Sequence, residues 1–351
     1  MSSQLPRSMW ATRLPNPPAA AFEVHPELLP LLRCPVSGQP LQLKSPKYAG
    51  AAIRSGMLTT ADGAHSHPIE DFVPRFVPAS NYADSFGMQW NRFPKTQLDS
   101  HSGTTISTDR FWKTTGWSPA DLAGKWVLDG GCGSGRFAEV ALAAGANVVA
   151  LDYSKAIDAC QANLGANPRL HAIQGDLYHL PFAPGSFSFV YSLGVLQHTP
   201  DVAGAFAALP RMVKKGGMFA ADFYEMTLKH RLLPRHYLRL ITTRMRQDRL
   251  FAICERWVPP MLSVSQALGR IPGVGGLLVR AMPVADYTGL YPLSQDQLRE
   301  WALLDTFDWL SPRYDQPQRR EVVRGWIEAS GFERVEVAKA GFLVVRGVNK
   351  R

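Results

Sequence analysis

Residues 127–137 read Val-Leu-Asp-Gly-Gly-Cys-Gly-Ser-Gly-Arg-Phe, a short apolar strand that passes through a glycine-rich turn into a helix. Glycines in such a turn let the backbone bend sharply and lie against a ligand at the helix N-terminus. A phosphate-binding loop would need a Gly-Lys-Ser/Thr ending, and Asp129 would repel a pyrophosphate. The turn therefore favours a cationic ligand. A dinucleotide loop in the register starting at Gly133, or glycines present for packing alone, are the alternatives.

Acids follow the next two predicted strands as well. Asp152 ends the apolar run 147–152, about 20 residues past the turn, where a doubly wound fold places a carboxylate against ribose hydroxyls. Asp176 lies just beyond a third run that starts at residue 170. Each acid has an alternative role as a helix N-cap. Together they predict one ligand site at the carboxyl edge of a parallel sheet.

A fourth predicted strand, residues 186–191, leads into a loop that contains Gly194 and His198. Gly194 allows close approach of the backbone to a ligand. His198 is a candidate general base, because the pKa of histidine lies near operating pH, or else a structural donor beside a Thr-Pro turn. A turn at residues 214–217 then precedes a fifth strand, residues 218–223.

The spacing Asp-x-Gly-x-Gly-x-Gly at Asp129, Gly131, Gly133 and Gly135 resembles the first signature of class I S-adenosylmethionine-dependent methyltransferases. Their ligand carries an ammonium and a sulfonium but no phosphate. The resemblance covers about residues 80–223 and 290–347. It implies a three-layer α/β, Rossmann-like fold with a mainly parallel seven-stranded sheet, and S-adenosylmethionine as the cofactor at the carboxyl ends of strands one to four.

The resemblance also implies roles for individual residues. Asp152 would bind the ribose, Asp176 with Leu177 the adenine, and the loop at Leu193 the methionine end. The segment 82–93 resembles a pre-core segment of bacterial type 11-like methyltransferases that lies over the cofactor, unless it simply packs its aromatic side chains on the core. The predicted cofactor contacts are Asp129, Gly131, Gly133, Gly135, Asp152, Tyr153, Asp176, Leu177, Leu193, Trp90 and Arg92, with Arg92 meeting the cofactor's carboxylate.

Two segments precede this core. Residues 1–25 are rich in Pro, Ser and Ala and are predicted to be a disordered tail. Residues 26–78 resemble a small zinc ribbon, but Ser37 replaces the second cysteine of the knuckle. Cys34, His65 and His67 remain, and a structural zinc site needs four ligands. We therefore expect a degenerate ribbon without metal.

The core extends over residues 79–224 and is followed by a predicted helical insertion, residues 225–315, that covers the acceptor site. Residues 235–251 predict one basic amphipathic helix, with arginines on one side and apolar residues on the other. The two sides are Arg235, Arg239, Arg246 and Arg249 against Tyr237, Leu238, Ile241 and Met245. A lid, a contact with anionic lipid, an RNA contact and a solvated face all remain open.

Residues 301–315 combine aromatic side chains with acids and are predicted to form the wall of the acceptor pocket. Asp305, Asp308 and Tyr314 are candidate polar contacts there. The predicted catalytic residues are His198, Asp308 and Tyr314. Residues 316–351 supply a helix over 319–330 and strands over 334–338 and 342–346 that complete the sheet.

The composition is that of an ordinary globular protein, with 46% hydrophobic and 19% charged residues and a formal net charge of +9. No uninterrupted apolar stretch reaches the length of a membrane-spanning helix, and the N-terminus lacks a signal-peptide core. Four cysteines form no paired motif and are predicted to be free thiols. We expect a cytoplasmic protein.

The predicted function is methyl transfer to oxygen or nitrogen of a small-molecule, lipid or saccharide acceptor. The loop after strand four lacks the Asn/Asp-Pro-Pro-Tyr sequence of adenine methylation, and no Pro-Cys nucleophile for cytosine is present. The net charge and the ribbon-like N-terminus keep an RNA-base methyltransferase as a rival. A non-catalytic, cofactor-binding regulatory partner is the rival from another class.

Overall fold

The structure is a computed structural model that describes residues 26–50, 52–78, 83–227 and 234–350. The predicted tail over residues 1–25 lies outside these ranges. The strands are β1 Gln42–Ala49, β2 Ala52–Thr59, β3 Ser66–Glu70, β4 Val73–Pro74, β5 Trp126–Gly130, β6 Asn147–Asp152, β7 Leu170–Gln174, β8 Phe187–Ser192, β9 Val213–Phe223, β10 Phe332–Lys339 and β11 Leu343–Asn349. The helices are α1 Asp84–Arg92, α2 Asp99–Ser102, α3 Ile106–Thr115, α4 Pro119–Leu122, α5 Arg136–Ala143, α6 Ala156–Leu164, α7 Val202–Ala208, α8 Pro234–Thr242, α9 Gln247–Gly269, α10 Gly275–Ala281, α11 Gln295–Leu310 and α12 Arg320–Ala329.

A seven-stranded sheet forms the centre, in the order β10-β11-β9-β8-β5-β6-β7. Strands β9, β8, β5, β6 and β7 are parallel, whereas β11 pairs antiparallel with β9 and β10. The predicted Rossmann-like, mainly parallel sheet is confirmed. Because parallel strands end at the same edge, the glycine turn after β5 lies beside the end of β6, with Gly130 opposite Leu151.

Alternating side chains of each strand face two different cores. Leu128 points to the face that is covered by α7 and α12, where it shares a cluster with Phe206 and Val323. Val127 points to the other face, where Phe137 of α5 belongs to its cluster. The sheet is therefore the middle of three layers, as the resemblance implied.

The N-terminal module is an antiparallel sheet in the order β1-β2-β3-β4 that docks on the outer edge of β7. Phe76 N donates to Gln174 O at 2.8 Å, and the Arg75 guanidinium pairs with Asp158 of α6 at 2.6 Å. The edge strand β7 is thus covered. Cys34 Sγ lies 3.6 Å from His67 Nε2. Within the described ranges no three His, Cys, Asp or Glu residues are grouped as metal ligands.

The prediction of a single helix over residues 235–251 is wrong. The chain forms α8 and α9 with a break at residues 243–246, and Arg239 of α8 faces the protein rather than solvent. Arg239 donates to Trp309 O at 2.9 Å and to Pro312 O at 2.8 Å, and Thr242 Oγ1 donates to Leu310 O at 2.9 Å. These carbonyls end or follow α11 and lack helical partners, and Arg239 and Thr242 of α8 supply the donors that they need.

Other boundaries also differ from expectation. Strand β9 begins at Val213, because the residues predicted as a turn form a bulge between the pairs Phe187–Val213 and Phe189–Met218. The acid-rich segment 301–315 is helical only to Leu310. The last helix, α12, is one residue shorter at each end than predicted. None of the helices in the described ranges has the length and apolar character needed to cross a bilayer.

Candidate active site

A cavity of about 560 Å³ opens at the carboxyl edge of the sheet. Its walls are formed by the loops after β5, β6 and β8, by helices α1, α3 and α11, and by the segment around Tyr287. This is the edge at which open α/β sheets bind their ligands. The parts of the chain predicted to hold cofactor and acceptor therefore meet in one space.

The glycine loop presents bare backbone to this cavity. Gly131 has φ +94°, and a Cβ atom there would lie 2.5 Å from Val195 Cγ1. A Cβ on Gly133 would lie 3.2 Å from Trp90 Nε1, so the indole covers the loop from above. Gly135 does not line the cavity: it is the N-cap of α5, and a Cβ there would lie 2.6 Å from Leu164 Cδ1. Because Gly135 has no side chain, α5 can pack closely against α6.

Asp152 lines the cavity and also fixes the loop. Its Oδ2 accepts from Gly133 N at 2.9 Å, and its Oδ1 accepts from Ser154 N at 2.8 Å and Ser154 Oγ at 2.7 Å. Burial raises the pKa of Asp152, and the bonds from Ser154 and Gly133 oppose this rise. A carboxylate offers about four acceptor positions, so capacity for a ligand hydroxyl remains.

Two predicted acids do not reach the cavity. Asp129 is 1% exposed and points from β5 into the core, where burial raises its pKa to about 8 and the nearby Tyr191 hydroxyl opposes the rise. Asp176 Oδ1 accepts from Tyr178 N at 3.0 Å, while Oδ2 lies 3.2 Å from His179 Nδ1. Leu177, the residue after it, lines the cavity together with Tyr153 and Leu193.

Trp90 and Arg92 of α1, both predicted to contact the cofactor, lie on different sides of this helix. Trp90 lines the cavity. Arg92 does not, because residues two apart lie on different sides of a helix. Its guanidinium pairs with Glu255 at 2.5 Å and stacks 4.3 Å from the centre of the Phe251 ring. In this position Arg92 cannot reach a cofactor carboxylate in the cavity, so the predicted contact is wrong.

His198 ends a short 3₁₀ helix, Leu196–His198, and its ring lines the cavity. Nδ1 donates to the backbone carbonyl of Tyr314 at 3.0 Å. In the neutral ring this bond leaves the lone pair on Nε2, which is the arrangement that a general base requires. Tyr314 therefore acts on His198 through its backbone, and its side chain is not among those lining the cavity.

The two acids of α11 do line the cavity, one helical turn apart. Asp305 accepts from Gln97 Nε2 at 3.1 Å and from the Tyr287 hydroxyl, and burial raises its pKa to about 6. Burial also raises the pKa of Asp308, while the nearby His198 opposes the rise. The acceptor end thus combines two desolvated carboxyl groups with an imidazole.

Sequence reasoning missed the cations of the site. Arg136 lines the cavity, with Nε donating to Ser107 Oγ at 2.9 Å and Nη1 to Gln97 Oε1 at 2.7 Å, and burial lowers its pKa to about 10. Arg110 pairs with buried Asp222 at 2.8 Å. A signal for Arg136 was present, since a cation in the first turn of a helix is unfavourable unless it has another role.

Comparisons with known proteins agree with the core. A model of a methyltransferase domain matches residues 128–221. A sterol 24-C-methyltransferase of Pneumocystis carinii is 33% identical over 112 residues, 30% of this chain and 30% of that protein. A ubiquinone biosynthesis O-methyltransferase of Thiobacillus denitrificans is 39% identical over 102 residues, 28% of this chain and 44% of that protein. The chain thus spans less than half the length of these relatives.

Among solved structures, the magnesium protoporphyrin IX methyltransferase of Synechocystis aligns over 76% of this chain and 96% of that one, with 18% identity and a TM-score of 0.40. The matched residues 128–221 contain the glycine loop, Asp152 and His198, whereas α1 and α11 lie outside them. The signature, the strand order and the family match agree, and residues 128–221 are similar to a methyltransferase domain.

Proposed function

We propose that the protein transfers a methyl group from S-adenosylmethionine to a small-molecule or lipid acceptor. The observation that carries the proposal is one cavity of about 560 Å³ whose two ends differ in chemistry. The glycine loop and Asp152 form one end, and His198 with the acids of α11 forms the other. Two reactants that must meet in line need such an enclosed space with two recognition ends.

The glycine end fits the cofactor. Gly131 and Gly133 leave backbone free for close approach, and Asp152 retains acceptor capacity for ribose hydroxyls. Leu177 and Tyr153 offer apolar and aromatic surface for an adenine ring, with Leu193 and the loop after β8 toward the methionine end. Asp176 bonds within its own turn and does not line the cavity, so Leu177 without Asp176 remains in the proposed adenine site.

Arg136 replaces Arg92 as the proposed partner of the cofactor's carboxylate. Arg136 lies in the cavity wall directly after the glycine loop, and its hydrogen-bond partners Ser107 and Gln97 are uncharged. A partly buried guanidinium without a hydrogen-bonded acid is suited to a carboxylate, which it can bind through two parallel bonds. Arg110 already has such a partner in Asp222.

When bound, S-adenosylmethionine would supply a methyl group on a sulfonium; attack by the acceptor atom in line with the carbon–sulfur bond would break that bond and release S-adenosylhomocysteine. Nε2 of His198 removes the proton from a hydroxyl or amine of the acceptor, while the backbone carbonyl of Tyr314 holds the imidazole ring in position. The negative charge of Asp308 stabilises the imidazolium that results, and Asp305 orients the acceptor. We therefore propose O- or N-methylation.

The acceptor end has aromatic walls, which favour an apolar, ring-bearing or saccharide group over a long polyanion. Tyr287, Tyr291, Trp301 and Trp309 line it. Relatives named for sterol methylation and ubiquinone biosynthesis support the lipid-like end of this range.

A label-transfer experiment tests the proposal. The protein is incubated with S-adenosylmethionine labelled in its methyl group and with fractionated cell extracts, and the Asp152→Ala variant serves as the inactive control. We expect label in a small-molecule or lipid fraction. Label in the RNA fraction would establish the nucleic-acid rival, and cofactor binding without transfer to any fraction would establish the regulatory rival.

We also propose a cytoplasmic location. The cysteines Cys34, Cys132, Cys160 and Cys254 are all unpaired and buried. Free thiols of this kind persist in reducing compartments. Localisation of the tagged protein by fractionation tests this directly.

A further inference from the structure

The outer face of α8 is apolar. Its polar residues Arg239 and Thr242 bond to carbonyls of the protein, while Leu240 and Ile241 are 62% and 67% exposed. Tyr237 is also exposed on this helix. A surface helix of a globular protein has the opposite arrangement, with its apolar stripe against the core. The orientation of α8 therefore places apolar area in contact with the surroundings.

Helix α9 adds a second outer apolar stripe. Its core stripe includes Leu250, Cys254 and Val258, which are buried. Ile253 and Trp257, four residues apart, flank this buried stripe and are themselves exposed, Trp257 by 59%. Val264 continues the stripe seven residues later, and Leu277 of the adjoining α10 is 72% exposed. The apolar surface of α9 therefore extends beyond the part that the protein itself covers.

Arginines accompany this face. Arg244, Arg249, Arg256, Arg270 and Arg280 are exposed, and within the described ranges none of them forms an ion pair with an acid. The exposed acids of α9 are already paired, Asp248 with Arg246 and Glu255 with Arg92. The face thus combines large apolar side chains with uncompensated positive charge.

The same insertion borders the cavity. Helix α8 packs on α11, which carries Asp305, Asp308 and Trp309 of the cavity wall. Tyr291 lines the cavity and is partly exposed beside the exposed Leu290. A membrane or protein that covers the outer face of the insertion would therefore lie next to the entrance of the cavity.

We propose that the docking face, defined by Tyr237, Leu240, Ile241, Ile253, Trp257, Val264 and Leu277, binds the surface of an anionic phospholipid bilayer. The apolar side chains enter the boundary between headgroups and acyl chains, and the arginines meet lipid phosphates. A second copy of the chain fits less well, because a two-fold contact would bring identical arginines together without free acids to pair with them. This docking does not depend on methyl transfer.

Vesicle sedimentation of the full chain tests the proposal. The probes are vesicles of phosphatidylcholine with and without phosphatidylglycerol, at low and at high salt. We expect wild type to sediment with the anionic vesicles and at least about tenfold less with the neutral ones. The double variant Ile253→Ser, Trp257→Ser should weaken partitioning into anionic vesicles about tenfold or more. The double variant Arg249→Gln, Arg256→Gln should weaken the same partitioning by about fivefold for each arginine that is replaced.

Val36→Ser with Tyr48→Ser is the matched control, because both residues are exposed apolar side chains of the N-terminal module. This variant should bind vesicles like wild type. Failure of wild type to sediment with anionic vesicles would overturn the proposal, as would apolar variants that bind normally, since charge alone would then explain binding. A dimer in sedimentation velocity that Trp257→Ser abolishes, without vesicle binding, would reassign the face to contact between copies.

Discussion

Three aspartates that look alike in the sequence have different environments. Asp152 borders the cavity and accepts three hydrogen bonds, Asp176 bonds to its own turn, and Asp129 is sealed beneath the loop. Spacing along the chain identified all three strand ends. Whether a carboxylate faces a ligand or the core depends on the side chains packed around it, such as Tyr191 beside Asp129.

Replacing Asp152 by Ala should weaken binding of S-adenosylmethionine by about 1–3 kcal/mol, because buried hydroxyls and the Gly133 amide lose their acceptor. Isothermal titration calorimetry measures this change. Asp158→Ala is the control, since Asp158 pairs with Arg75 away from the cavity. Equal affinity of both variants would refute the ribose assignment.

His198→Gln should lower the rate of methyl transfer by about 10²–10⁴-fold and leave cofactor affinity nearly unchanged. Single-turnover kinetics with the identified acceptor provides the test. Tyr314→Phe is the control, because the bond to His198 comes from the backbone carbonyl, which this change preserves. A loss of activity in Tyr314→Phe as large as in His198→Gln would show that the phenol itself takes part.

Asp129→Asn should stabilise the protein increasingly as pH rises from about 4 to about 8. Burial raises the pKa of Asp129 to about 8, so the folded state holds a proton that the unfolded state releases, and wild-type stability falls across this window. The Asn variant lacks this loss. We expect a difference of at least about 1 kcal/mol at pH 8 in urea unfolding. A difference that is independent of pH would contradict the burial of a titrating group.

At the scale of elements, Gly131 of the glycine loop and Gly216 of the bulge in β9 offer a matched pair of substitutions. Gly131→Ala and Gly216→Ala both place a side chain at a positive φ, but a Cβ at Gly131 would lie 2.5 Å from Val195, whereas nothing lies within 4 Å at Gly216. Gly216→Ala should cost about 1 kcal/mol of stability and Gly131→Ala clearly more. Equal shifts of the urea midpoint would mean that Val195 moves aside without cost.

Helix α8 shows where sequence periodicity stops being informative. The pattern placed Arg239 and the apolar Tyr237 and Ile241 on different sides, but it could not tell which side faces the protein, and Arg239 proved to be the inner one. The deciding partners are carbonyls at the end of α11, some 70 positions away in the sequence. Arg92 was misjudged for a related reason, because Glu255 and Phe251 of the insertion attract it away from the cavity.

At the scale of the molecule, sequence reasoning was most reliable for the sheet. Apolar runs ending in Asp129 and Asp152 predicted parallel neighbours, and the structure pairs them in register. Local signals suffice there because each βα unit forms from contiguous residues. The cavity wall joins Gln97, Arg136, Asp305 and Tyr287 from distant segments, and no short motif predicts such a meeting.

The N-terminal module leads to a prediction about metal content. Cys34 and His67 lie within contact distance, but a structural zinc needs four ligands, and Ser37 stands where the knuckle would supply one. Purified protein should contain no stoichiometric zinc, and a chelator should leave its melting temperature unchanged. Elemental analysis that finds about one zinc per chain would show that ligands were overlooked.

The pairing of β9 with β11 has a consequence for protein synthesis. Val344 lies opposite Asp222, and residues 224–342 separate the two strands in the chain. While the ribosome makes those residues, β9 offers an unpaired edge, and pairings of such long range form slowly. A nascent chain is therefore exposed to misassembly until residues 343–349 emerge, and chaperones that shield strand edges should matter most in that interval.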